Sequence, residues 1–169
     1  MIFDNGRTIL CGIEPSPSTE GLGKLSQSES EPSKHTAGLY GIGGKRESTD
    51  ANYRETAARE MLEELFGFHR PSRMLLQRIL LIPPHKETTV SGYIMLHYGF
   101  DDLVKMLLTL RGQTSPFYDK MPTSISELIL ARRHVAKAEM SHLCLLPMTY
   151  PTLYISSDLA NDINRILSE

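Results

Sequence analysis

Glu60, Glu63 and Glu64 lie within the segment Arg59-Glu60-Met61-Leu62-Glu63-Glu64, and their spacing sets the chemistry open to them. On a helix advancing about 100° per residue, the three carboxylates fall within an arc of about 100°. Like charges held this close raise one another's pKa unless a cation compensates them, and hard oxygen ligands at this spacing suit Mg²⁺ or Mn²⁺. An ordinary solvated acidic face has the same composition, so the flanking residues must discriminate. Upstream stands Gly43-Gly44-Lys45-Arg46-Glu47, a glycine turn followed by a carboxylate. Such turns let backbone groups approach a diphosphate closely.

The acidic face requires a helix to carry it. Residues Ala51 to Phe66 are almost all good helix formers, with Asp50 or Asn52 available as N-cap, Glu55 to complete a capping box and Gly67 as a stop. Ala58, Met61, Leu62 and Leu65 form an apolar stripe on the side opposite the three glutamates. Around this helix, Thr8–Gly12 reads as a strand, as do Met74–Ile82 and Val90–Phe100, which flank the turn Pro83-Pro84-His85-Lys86. Asp101–Leu110 and Ser124–Arg133 read as helices, Val135–Leu146 as a strand and Ser156–Leu167 as a closing helix. The pattern predicts an α/β fold with a mixed sheet and helices. Glu14 to Thr36, rich in Ser, Pro, Gly and Glu, reads as a long flexible loop within a single domain spanning 1–169.

Taken whole, Gly43 to Phe68 (GGKRESTDANYRETAAREMLEELFGF) resembles the Nudix box, in which Gly, five residues and Glu are followed by seven residues and then Arg-Glu-U-x-Glu-Glu-x-Gly-U, with U aliphatic. Arg59 to Glu64 matches the central signature unchanged, and Asp50 takes the place of the first Glu. The flanks differ. Eight residues separate Asp50 from Arg59, Phe66 is an extra residue before Gly67, Ile42 stands where Pro-Gly-Gly is common, and Thr49 replaces a frequent Gly. The resemblance implies a Nudix-like α/β/α sandwich. The activity it implies is Mg²⁺- or Mn²⁺-dependent hydrolysis of a nucleoside diphosphate linked to another moiety, such as a nucleotide, a sugar, ADP-ribose or capped RNA.

Carried over residue by residue, the resemblance makes Glu60 and Glu64 direct metal ligands, Glu63 a third ligand or one acting through water, and Gly44 a backbone carbonyl beside the metal. Gly43, Gly44, Lys45 and Glu47 would meet the substrate. Arg59 would orient the array through a salt bridge with Glu55 or Glu47, and the general base would be a box glutamate (Glu63 or Glu64) or a later carboxylate, Glu127 or Glu139. Pro83, fifteen positions after Phe68, resembles the spacing of the ADP-ribose-hydrolysing subgroup. With no Trp in the chain, Tyr40, Phe66, Tyr93, Tyr98 and Phe117 are the candidate platforms for a base. The altered flanks keep a second reading open, a Nudix-like nucleotide- or RNA-binding regulatory module without turnover.

Composition sets outer bounds. A chain of 169 residues with 40% hydrophobic content can bury a core without disulfides or a structural metal. With 18 Lys+Arg against 20 Asp+Glu, the net charge of −2 excludes a polycationic nucleic-acid binder. Contact with RNA would have to come from clusters such as Arg132-Arg133-His134 with Lys137, or His69-Arg70 with Arg73, which read first as a solvated surface. Cys11 and Cys144 lack metal or dithiol spacing and read as small core residues, while His97 and His142 read as strand residues with satisfied hydrogen bonds. The first residues contain Asp4 and no basic stretch leading into an apolar run, and Gln77 and Arg78 interrupt the most apolar central segment. The expectation is a cytoplasmic protein with no membrane segment, acting on a small nucleotide-type molecule, with self-association left open.

Overall fold

A computed structural model describes residues 1–14, 38–90, 92–151 and 155–168. Most of the Ser/Pro-rich segment predicted as a loop at 14–36 therefore lies outside the described residues. The chain order is β1 (Ile2–Asp4), β2 (Thr8–Ile13), β3 (Leu39–Tyr40), α1 (Tyr53–Phe66), α2 (Arg73–Leu80), β4 (Lys86–Val90) and β5 (Tyr93–Gly99). It continues with α3 (Phe100–Thr109), α4 (Ile125–Leu130), β6 (His142–Pro147) and α5 (Ser157–Leu167).

The strands form one mixed sheet in the order β3-β2-β1-β5-β4, with β6 also paired to β2. β1 and β5 run parallel, with Phe3 opposite Tyr98, and the other pairings are antiparallel. Alternation along each strand divides the core into two layers. Phe3, Leu10, Leu96, Tyr98 and Leu143 face a large cluster built with α1, α2, α3 and α4. Ile2, Ile9, Cys11, Met95 and Leu146 face the opposite way, onto Leu159 and Ile163 of α5. Helices thus cover both faces of a mixed sheet, and the α/β expectation holds. Among the described residues no helix is long and apolar enough to cross a membrane.

Local signals account for α1. The Asn52 side chain accepts the Glu55 N–H at 3.0 Å, the Glu55 carboxylate accepts the Ala51 N–H at 2.9 Å, and Gly67 ends the helix at φ 68°. The extra residue Phe66 is absorbed as a last helical position, fully buried and stacked on Phe68.

Three sequence expectations need correction. Met74–Ile82 is not a strand: Ser72 caps a helix from Arg73 whose buried residues, Leu75, Leu76 and Ile79, lie on one helical face. Met74 and Leu81 make the run apolar throughout, yet they are exposed, at 69% and 80%. The segment Lys86–Val90, whose first residue reads as part of a turn, is instead an edge strand hairpinned to β5 through Gly92 at φ 74°. The predicted strand at Val135–Leu146 shortens to His142–Pro147, because Lys137 adopts a left-handed φ of 67° that no strand accepts.

The helical assignment at 73–80 has a direct test. In a strand Ile79 and Leu81 would share a face, whereas here Ile79 is fully buried and Leu81 exposed. Ile79→Ala is expected to cost about 2–5 kcal/mol in urea unfolding, and Leu81→Ala less than about 0.5 kcal/mol. Equal losses would refute the helix.

Candidate active site

Arg59 organises the acidic face from its middle. Its side chain is 6% exposed, and its Nε and Nη2 donate to the two oxygens of Asp50 at 2.9 and 3.1 Å. Nη2 also donates to the Lys45 carbonyl at 2.9 Å and lies 2.9 Å from Glu60 Oε1, while Nη1 donates to Glu63 Oε2 at 3.0 Å. The planar five-donor guanidinium suits this many-sided role, which a lysine cannot reproduce. Sequence reasoning assigned the orienting salt bridge to Glu55 or Glu47. Glu47 stands only at 3.7 Å, and Glu55 is instead engaged by the Ala51 N–H, 3.8 Å from Arg73. The partner that Arg59 uses is Asp50, the residue that the resemblance sets against the first glutamate of the Nudix pattern.

Asp50 is itself fully engaged. It accepts from the Glu47 N–H at 2.9 Å and the Thr56 hydroxyl at 3.0 Å besides Arg59. Burial alone would raise its carboxyl, but the hydrogen bonds from Arg59, Glu47 and Thr56 outweigh that and hold it below the usual carboxylate range. Between Asp50 and Arg59 the chain passes through Ala51 and the N-cap Asn52 and enters the helix at Tyr53.

Glu64 is the most buried of the three glutamates, at 8% exposure, and accepts the Gly43 N–H at 2.9 Å. Burial pushes its carboxyl up to about 8, against the Gly43 hydrogen bond, and the neighbouring Glu60 and Glu139 add to the rise. Glu60 is raised for the same first reason, burial, with Arg59 opposing it and Glu63 and Glu139 adding to it. Gly44 is held against Glu60 so closely that a Cβ there would overlap the carboxyl group. Among the described residues no three His, Cys, Asp or Glu groups stand ready to hold a metal ion, because Arg59 draws Glu60 and Glu63 to itself while Gly43 holds Glu64. The donor set itself still fits a hard divalent cation: carboxylate oxygens beside a glycine backbone, with two of the carboxylates penalised by burial until positive charge arrives.

The later carboxylates separate. Glu139 is exposed and close enough to act electrostatically on both Glu60 and Glu64. Glu127 caps the start of α4, accepting from the Thr123 N–H at 2.8 Å, and its contacts are local to that cap. Two of the basic residues, Arg132 and Arg133, are committed to contacts within the chain. Arg132 is turned inward, donating to the Leu65 and Glu64 carbonyls at 2.9 Å each, where it caps the C-terminal end of α1, and its guanidinium lies 4.2 Å from the centre of the Phe117 ring. Arg133 pairs with Asp119 at 2.5 Å.

Next to the acidic face, across the Gly43-Gly44 strip, opens a cavity of about 560 Å³. Gly43, Gly44, Lys45 and Arg46 form one wall, Tyr53 of α1 and Tyr93 of β5 others, and Asp158 and Asp162 of α5 complete it. Glu47 does not line it. Tyr40 and Tyr93 are the two candidate base platforms that border this space, whereas Phe66, Tyr98 and Phe117 are buried in the core. The Tyr93 hydroxyl donates to Asp162 at 2.8 Å. His97 is satisfied by Asp4, as a strand histidine should be, and His142 sits beside the Ser141 hydroxyl at 2.9 Å.

Comparisons with protein-family models, with curated proteins and with solved structures find no match. The reading of the site therefore rests on the residues and their geometry.

The Asp50–Arg59 pair is open to measurement. Removing one partner of a buried pair strands the other charge, so Asp50→Asn is expected to lower unfolding free energy by about 3–5 kcal/mol at pH 7. Because Asp50 titrates below its unfolded value, its contribution is present above about pH 4 and disappears as the pH falls through the depressed folded value. Wild type should therefore lose more stability than Asp50→Asn between pH 5 and pH 2, by at most about 2.6 kcal/mol, as followed by urea denaturation. Parallel acid profiles would contradict the assignment.

Proposed function

We propose that this chain is a divalent-metal-dependent pyrophosphohydrolase of the Nudix type, with a Nudix-like sandwich fold, acting on a nucleoside diphosphate linked to a further group. The observation that carries the reading is the joint placement of Glu60, Glu63 and Glu64 on one helix face, locked by Arg59 and bordered by Gly43-Gly44. Helices on both faces of the mixed sheet are compatible with that family's architecture.

The residues divide the work by position. Gly43, Gly44 and Lys45 separate the acidic face from the cavity, so a substrate whose diphosphate lies along this strip reaches both. Its nucleoside enters the space bordered by Tyr40, Tyr53 and Tyr93, where aromatic faces are available for stacking. Arg59 holds Glu60 and Glu63 in register, and the Gly43 N–H holds Glu64. A bound Mg²⁺ or Mn²⁺ supplies neutralisation of phosphoryl oxygens and acidifies water. In this reading Glu139, whose charge acts on Glu60 and Glu64, takes the proton from the attacking water rather than Glu127, whose contacts are those of its own helix cap.

The test is a product assay by mass spectrometry on a panel of nucleotides, nucleotide sugars, ADP-ribose, dinucleoside polyphosphates and capped RNA, with Mg²⁺ and Mn²⁺ compared. Divalent-dependent release of monophosphate products is expected from at least one substrate, falling about 10²-fold or more in Glu64→Gln. Gly44→Ala is expected to lose activity with unfolding free energy within about 1 kcal/mol of wild type, since the new Cβ displaces the Glu60 carboxyl rather than the core. No turnover across the panel by folded, metal-supplied protein would overturn the proposal. Nucleotide binding indifferent to Glu64→Gln would point instead to the regulatory module.

A further inference from the structure

Cys11 and Cys144 lie 133 positions apart in the chain, yet the β2–β6 ladder sets them directly opposite each other with their Sγ atoms 3.3 Å apart. Both thiols are free. They point to the sheet face covered by α5, Cys11 fully buried among Ile9, Met95 and Leu159, and Cys144 half-buried at the edge of the same cluster. We propose that Cys11 and Cys144 form a reversible disulfide, an oxidative modification site that clips β6 to β2. The pair is independent of the acidic face and of the activity proposed for it.

The register explains why such a bond would be reversible rather than a permanent staple. Met148 N–H donates to the Arg7 carbonyl at 2.9 Å across the same ladder, and hydrogen-bonded pairs alternate along antiparallel strands, which makes Cys11/Cys144 a hydrogen-bonded pair as well. At directly opposed positions the Cβ atoms stand about 4.5–5.5 Å apart, with hydrogen-bonded pairs at the wider end, whereas a relaxed disulfide needs about 3.5–4.5 Å. Closing the bond draws the strands together by about 1–2 Å, and a bond closed under such strain is readily reduced.

The order of events follows from exposure. Cys144, the more accessible sulfur, is also held below the ordinary thiol value by the hydrogen bond from Cys11, while that contact and burial push Cys11 up. Cys144 thiolate attacks one sulfur of an oxidised low-molecular-weight disulfide such as glutathione disulfide, forming a mixed disulfide and releasing one glutathione. Cys11 then gives its proton to solvent and attacks the Cys144 sulfur, releasing the second glutathione. Two electrons leave the protein thiols and reduce one glutathione disulfide to two thiols, so the step balances without another reagent.

The experiment uses the full chain in glutathione buffers of graded oxidised-to-reduced ratio, quenched by alkylation, digested without reduction and mapped by mass spectrometry. A Cys11–Cys144 linked peptide from the monomer is expected, increasing with the oxidised fraction and lost on adding dithiothreitol. Cys11→Ser is expected to trap Cys144 as a lasting mixed disulfide, and Cys144→Ser to leave Cys11 unmodified. Alkylation of both cysteines at every ratio, or a wild-type protein that stops at glutathione on Cys144, would overturn the proposal. The wild-type map decides the matter even if a variant fails to fold.

Discussion

The site depends on one buried guanidinium. Arg59 brings together, within hydrogen-bond reach, Asp50 from the turn before α1, the Lys45 carbonyl from the glycine strip, and Glu60 and Glu63 from its own helix. Without a cation there, three separate segments would present lone pairs to one another. A buried charge of this kind stabilises only when its donors are well matched, and five N–H groups in a fixed fork meet that condition here. The cost is rigidity: the glutamates are held to Arg59 and the glycine strip, not to each other.

One positive charge cannot balance what surrounds it. Asp50 is engaged by Arg59 and local donors, which leaves Glu60, Glu63, Glu64 and the nearby Glu139 sharing the remainder. Burial of Glu60 and Glu64 turns that imbalance into raised carboxyl pKa values. Positive charge brought to this face would relieve the repulsion and favour the ionised form of both groups. The glycines matter for the same reason, since only a residue without a side chain at Gly44 lets the strip lie against Glu60 while the Gly43 N–H donates to Glu64.

The arrangement of the remaining elements follows from where this face must sit. Ala58, Met61, Leu62 and Leu65 are almost wholly removed from solvent, so α1 is pinned to the sheet by the side opposite its glutamates. Burying such side chains contributes about 1.5–3 kcal/mol each for the larger ones, which outweighs the repulsion on the other side. Arg132 then closes the helix end from a loop that also carries Glu139. That role commits the Arg132 guanidinium of the basic cluster to the fold, on the carbonyls of Glu64 and Leu65.

Features governed by neighbours in sequence were legible in the chain alone. The capped helix with its glutamate arc, the Gly67 stop and the helix closing the described fold depend on contacts a few residues apart, where periodicity and capping act directly. Contacts between distant segments were not. The choice of Asp50 over Glu55 for Arg59 was decided by where the 45–50 turn folds back, and the helix at Arg73–Leu80 by which of its apolar residues the core could accept. The cavity beside the glycine strip needs α5, more than a hundred residues downstream, to supply its far wall. Cys11 and Cys144 look unrelated in sequence because pairing in a sheet is set by register, and register follows from the burial of whole strands rather than from any local signal. The sequence by itself determined the acidic helix and the chemistry its residue types allow; tertiary packing alone decided which groups hold that helix in place and which distant side chains meet, because only burial against the sheet sets those distances.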